Sequence, residues 1–222
     1  MVTQSFYLCL LVIAASGILQ SPRIIMNSLL KRILGTLVFS VALIPLLFNS
    51  NQFAFQKFGL NFIYHPWVMF LSILISITLI IMNGYAAGSK NNMAVYPQIR
   101  EPIWTLQITL RSSIAWTVYL TIYEIIFRGI FFHTSILFIG FWPAVVLNII
   151  TYSLAHLLKN KREAILSIPF GFLMIYLTWE SGSCWYAVFI HVILALSHEW
   201  ASIGANPGMR FDFSSISNKK LK

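Results

Sequence analysis

The chain has 222 residues, 58% of them hydrophobic and 9% charged, with a mean hydropathy of +0.78. Globular chains carry about 25% charged residues, and a soluble fold of this size buries too little surface to hide so apolar a composition. These figures exclude a soluble enzyme, a disordered tail and a nucleic-acid-binding domain, and indicate a polytopic protein whose solvent is the lipid bilayer. Fifteen Lys and Arg face only six Asp and Glu, for a net charge of +9, so each carboxylate needs an account. Cys9 and Cys184 lie far apart in apolar surroundings and fit no metal or disulfide spacing; they read as small buried hydrophobes.

Seven apolar stretches follow in chain order: Phe6–Leu19, Ile33–Phe48, Trp67–Met82, Ser112–Thr134, Gly140–Leu158, Ala164–Trp179 and Ser183–Ile203. A spanning helix needs roughly 20 residues. Several stretches are shorter, so the reading is an all-α transmembrane bundle of about seven spans, within a range of six to eight. The first stretch lacks a preceding Lys or Arg and does not read as a secretory signal. The segment Asn83–Arg111, with Tyr96-Pro-Gln-Ile-Arg-Glu-Pro102, reads as a long loop at a membrane surface.

The basic residues test these spans. Arg23, Lys31 and Arg32 fall between the first and second, Lys90, Arg100 and Arg111 between the third and fourth, and Lys159, Lys161 and Arg162 between the fifth and sixth. Arg210, Lys219, Lys220 and Lys222 follow the seventh, whereas Lys57 alone falls in a loop of the other side. The excess of positive charge on one side places the N-terminus outside and the C-terminus in the cytoplasm, the expected home being the plasma (inner) membrane.

Against this background the charges inside spans stand out. A charged side chain at the bilayer centre costs about 2.5–3.5 kcal/mol on an insertion scale. The fourth stretch nevertheless holds Glu124 and Arg128, in Tyr123-Glu-Ile-Ile-Phe-Arg-Gly129. Four residues apart, they share a helix face with the acid N-terminal to the base. They suit either a buried ion pair that fixes packing or a carboxylate that handles protons. His156 ends Tyr152-Ser-Leu-Ala-His156 in the fifth stretch, and His191 lies inside the seventh, with His198 and Glu199 two turns on. His198 shares the face of His191 within about 20°, so it reads as the wet end of the same cavity or as an interfacial residue. His65 and His133, at span ends, read as interfacial. Glu101 and Glu163 lie beside basic loop residues, Glu180 in an outer turn and Asp212 in the tail. Glu124 is left as the one carboxylate expected deep in the membrane.

Together these motifs resemble the CPBP family of intramembrane proteases, which includes the CAAX prenyl endopeptidases. The family's Glu-Glu-x-x-x-Arg motif corresponds to Tyr123-Glu124-Ile-Ile-Phe-Arg128, its aromatic-x-x-x-His to Tyr152 through His156, and its His-x-x-x-Asn to His191 through Ala195. The turn Glu180-Ser-Gly-Ser183 is similar to a short turn of the same family. The resemblance covers roughly Ile99 to Ala201. It divides the chain into N-terminal helices and a cytoplasmic loop (1–98), a protease-like core (99–203) and a basic cytoplasmic tail (204–222). It implies hydrolysis of a peptide bond in a membrane-anchored peptide or protein, without metal, cofactor or covalent intermediate. In that scheme Glu124 activates water, His156 and His191 orient it or stabilise the oxyanion, and Arg128, Tyr123, Ala195 and His198 support the site.

Two departures bear on this scheme. Tyr123 stands where the family has its catalytic base, and Ala195 where it has Asn. A phenol, with a reference pKa near 10, is a poor base at neutral pH. Glu124 is turned about 100° further around the helix. A second reading is therefore a catalytically degenerate relative that binds a membrane partner, and a third is a transporter with the Glu–Arg pair on a proton path. Depth is a further constraint. His191 is about 12 Å of helix from the outer end of its span, while His156 is near the inner boundary. Convergence requires the fifth helix to project inward or the seventh to begin after Ser183.

Overall fold

The computed structural model describes residues 2–21, 25–44, 56–157 and 161–214. The basic residues Arg23, Lys159, Lys219, Lys220 and Lys222, and the expected span ends Phe48 and Leu158, lie outside the described residues. The protein is an all-α membrane bundle: α1 (Val2–Gln20), α2 (Ser28–Val41), α3 (Pro66–Ala87), α4 (Lys90–Val95), α5 (Leu106–Glu124), a π-helical segment (Ile125–Phe131), α6 (Phe132–Ile139), α7 (Phe141–Leu157), α8 (Lys161–Ser181) and α9 (Trp185–Ala205). Five helical stretches are long and apolar enough to cross a membrane, and α7 is a shorter apolar helix. With the 14-residue α2 they match the seven sequence stretches one for one.

The helix boundaries have local causes. Asn27 caps α2 by accepting from the Leu29 amide at 2.8 Å, and the Thr105 hydroxyl caps α5 by accepting from the Ile108 amide at 3.4 Å. His65 caps α3 through Nδ1, with Pro66 at the first helical position. Gly182 turns the chain between α8 and α9 at φ +66°, a left-handed conformation that glycine adopts without a Cβ clash.

The fourth stretch is longer than expected, running unbroken from Leu106 to Ile139. Its 34 residues exceed the ~20 that cross a hydrocarbon core. In its middle lies the π-helical segment, directly after Glu124. A π turn holds an extra residue, so its carbonyls need other donors. Asn148 Nδ2 donates to the Phe127 carbonyl at 2.7 Å, and His133 Nδ1 donates to the Gly129 and Arg128 carbonyls at 2.8 and 3.2 Å. His133 is thus a prop of this segment rather than an interfacial residue. Gly129 is required by close approach: a Cβ there would stand 2.9 Å from Leu60 Cδ2 and 3.1 Å from the Phe58 carbonyl.

The helices pack α2 on α5, α5 and α3 on α9, α8 on α7, and α1 across α2 and the π segment. Their common core is aromatic: Phe39, Tyr119, Tyr123, Phe127, Phe131 and Tyr152 form one buried cluster. The expected long loop after α3 is partly structured. It holds α4 and the strand β1 (Ile103–Thr105), which pairs in parallel with β2 (Arg210–Asp212) of the tail, Trp104 opposite Phe211. Trp104 is fully buried and anchors this pair under the bundle. Outside the spans, Asp212 accepts from the amide and hydroxyl of Ser214, at 3.0 and 2.5 Å, which holds its carboxyl below the usual range.

Candidate active site

The last residues of α5 present Tyr123 and Glu124 on different faces, as expected for neighbours 100° apart. Glu124 is fully buried. Its Oε1 accepts from His191 Nδ1 of α9 at 2.5 Å, and its Oε2 stands 3.3 Å from Arg128 Nε. The Arg128 guanidinium is also fully buried and lies 4.3 Å over the Tyr152 ring. Its nitrogens make no hydrogen bond among the described residues, so charge and ring contact hold it rather than a donor–acceptor network. A Cβ at Gly171 of α8 would meet Tyr152 Cδ1 at 3.1 Å and Arg128 Nη2 at 3.7 Å. The Tyr152 ring therefore packs closely beneath α8 because that position has no side chain.

A cavity of about 890 Å³ opens beside this pair. Tyr123, Tyr152, His156, His191, Ala195 and Glu199 border it, whereas Glu124 does not. Tyr123 stacks on Phe127 with centroids 4.5 Å apart and meets His191 edge-on at 5.8 Å. His191 is 8% exposed. Its Nδ1 is engaged by Glu124, so Nε2 is the nitrogen left to meet a cavity occupant.

His156 is separate from the Glu124–His191 contact. It sits on the last turn of α7 against the Tyr152 ring at 4.7 Å, with Nδ1 3.8 Å from Glu163 Oε2. Tyr96 donates to the other oxygen of Glu163 at 2.8 Å. His198 Nε2 donates to Asn92 Oδ1 at 2.6 Å, with its ring 4.2 Å from that of Tyr96. The α9 helix begins at Trp185, after Ser183, and the cavity extends from His191 past Tyr152 to His156.

Glu124 is not the only buried carboxylate among the described residues. Glu199 is 3% exposed and Arg32 is 1% exposed, and they form a second buried ion pair, Nη2 to Oε1 at 2.8 Å. Arg32 Nη1 donates to Ser112 Oγ at 2.7 Å, Ser112 Oγ donates to Glu199 Oε2 at 2.6 Å, and Trp116 Nε1 donates to Oε1 at 3.1 Å. The guanidinium lies 4.0 Å over the Trp116 ring. The apolar stretch starting at Ile33 placed Arg32 in a loop, but α2 begins at Ser28 and carries it inward. The available signal was spacing: Glu199 follows His191 by eight residues and so lies near its helix face.

No group of three or more His, Cys, Asp or Glu side chains suited to a metal ion occurs among the described residues. Comparison with known proteins gives one family: residues 104–197 match the type II CAAX prenyl endopeptidase Rce1-like model. No curated protein and no solved structure matches the chain. The matched segment begins just before α5 and ends two residues before Glu199, so it contains Glu124, Arg128, His156 and His191. Over residues 104–197, this integral membrane protein is similar to the Rce1-like family of type II CAAX prenyl endopeptidases.

Proposed function

We propose that the protein is an intramembrane endopeptidase that hydrolyses a peptide bond of a membrane-associated protein or peptide, with the Glu124–His191 pair as its proton-handling unit. The observation that carries this reading is the 2.5 Å contact between His191 Nδ1 and a carboxylate that does not reach the cavity. Glu124 acts through the imidazole, not on water directly. With Oε1 accepting, His191 carries its proton on Nδ1 and its lone pair on Nε2. Nε2 takes a proton from a cavity water as the water oxygen attacks the scissile carbonyl carbon. The imidazolium that forms is balanced by Glu124, then returns the proton to the amine nitrogen as the C–N bond breaks. Arg128 keeps the resting pair charge-balanced in a region without water. His156, further along the same cavity, contacts the bound chain.

The test is cleavage of a quenched fluorescent peptide ending in a prenylated Cys-aliphatic-aliphatic-X box by the purified full chain in lipid vesicles. Wild-type cleavage that is lost in Glu124→Gln and His191→Ala supports the reading. A silent wild type, or full cleavage by His191→Ala, overturns it. A second reading, a catalytically silent relative that binds a membrane partner, draws on one observation: Tyr123 and Ala195 border the cavity where the family motif has Glu and Asn. It is supported if the wild type is silent and the double variant Tyr123→Glu/Ala195→Asn cleaves.

A further inference from the structure

We infer that Tyr123 is a catalytic residue whose hydroxyl donates a hydrogen bond to the oxyanion formed when water adds to the scissile carbonyl. The inference rests on the hydrolytic reading above. Attack on an amide carbonyl puts negative charge on its oxygen, and in hydrocarbon surroundings that charge needs a positioned donor. The polar side chains around the cavity are mostly committed. Trp116 donates to Glu199, Tyr96 to Glu163 and Asn83 to Ser197, and Tyr119 is bonded to Ser16. His191 Nδ1 is held by Glu124 and its Nε2 handles the proton.

Tyr123 differs from these. It is 6% exposed, it borders the cavity, and its hydroxyl has no hydrogen-bond partner among the described residues. An uncommitted polar group beside apolar walls is unfavourable unless it serves a ligand. The ring is held on three sides, by Phe127 at 4.5 Å, Phe39 at 5.2 Å and Tyr152 at 5.9 Å, so the hydroxyl is pre-aimed at little entropic cost. It meets His191 edge-on, so donor and base serve the same small volume. Ala195, one helical turn after His191, lines the same wall and leaves space for the carbonyl. Tyr152 is the natural control: its ring also contacts His191, at 6.4 Å, but it is 1% exposed and lies against the Arg128 guanidinium.

The experiment compares wild type, Tyr123→Phe, Tyr152→Phe and Tyr123→Phe/Ala195→Asn on the quenched prenylated peptide, in lipid vesicles. Tyr123→Phe keeps the ring stack, so size-exclusion profile and melting temperature serve as the folding control. The expected result is a fall in kcat of about 100-fold with KM unchanged, and partial recovery in the Ala195→Asn background, which returns a carboxamide donor to the same wall. Binding of a peptide phosphinate, which mimics the tetrahedral state, weakens in Tyr123→Phe, while binding of the uncleaved peptide does not. Full kcat in Tyr123→Phe, or an equal loss in Tyr152→Phe, overturns the donor role and leaves the hydrolytic reading standing. A wild type that neither cleaves the peptide nor prefers the phosphinate overturns both.

Discussion

Replacing Arg32 with Ala is expected to cost about 3–5 kcal/mol of stability, the usual penalty for removing one partner of a buried pair. Arg32 and Glu199 are 1% and 3% exposed, and three contacts converge on the carboxylate: Arg32 Nη2 at 2.8 Å, Ser112 Oγ at 2.6 Å and Trp116 Nε1 at 3.1 Å. Without the guanidinium, Glu199 keeps two neutral donors but loses its counter-charge at a site where it is only 3% exposed. The cation–π contact with Trp116 is lost at the same time, an effect of about 0.5–2 kcal/mol contained in that figure. The loss is a large share of the ~5–15 kcal/mol that holds a folded domain together. The partner design is Arg32→Met with Glu199→Gln, which removes both charges, fills the space and keeps an acceptor for Ser112 and Trp116. It should fall within about 1–2 kcal/mol of wild type, because an ion pair replaced as a unit is often close to neutral. Unfolding of wild type, Arg32→Met, Glu199→Gln and the double variant in mixed detergent–dodecyl sulfate micelles, followed by far-ultraviolet circular dichroism, gives the four corners of the cycle. Additive losses, or an Arg32→Ala loss below about 1 kcal/mol, would refute the coupling.

Three further outcomes are expected. Glu124→Gln should lower kcat by roughly 10⁴-fold, as when a carboxylate that sets a catalytic imidazole's tautomer is amidated; single-turnover kinetics on folded, size-excluded protein measure it, and a loss under tenfold counts against the relay. Gly129→Ala should destabilise by about 1–3 kcal/mol, read in the same micelle titration, because its Cβ would sit 2.9 Å from Leu60 Cδ2 and 3.1 Å from the Phe58 backbone carbonyl. Asp212→Asn should abolish a carboxyl titration that runs below the usual Asp range, seen by NMR as a shift of the Ser214 amide. The depressed pKa makes the Ser214 contacts intact above the ordinary carboxylate range and lost as pH falls through the folded value.

The spans were legible because hydrocarbon imposes a simple rule: each apolar run holds a helix, although the fourth extends five or six residues beyond both ends read from the pattern. The Glu124–Arg128 pair was legible for the same reason, since two charges four apart in an apolar run have no bland solvent-exposed alternative. Three features escaped. The Arg32–Glu199 pair joins residues 167 apart, and each sits at an end of an apolar stretch, where a charge looks interfacial. The π segment has no composition signal in Ile125–Phe131; its props, His133 and Asn148, look like isolated polar residues until the fold brings them to its carbonyls. The tail strand Arg210–Asp212 is three residues long and pairs with a segment more than a hundred residues earlier, so local pattern carries no trace of it.

The π segment also gives the long helix two independent clocks. Residues 106–124 keep one angular phase and residues 132–139 another, with the extra residue of the wide turn between them. Inserting a single residue between Glu124 and Ile125 would swing the preceding helix by about 100° around the axis, bringing a carboxylate to the cavity wall where a phenol now stands. The packing of α6 on α7 would not register that change, because the rotation falls on the N-terminal side of the wide turn. In such a helix the chemistry facing the cavity and the architecture of the bundle can be altered one at a time.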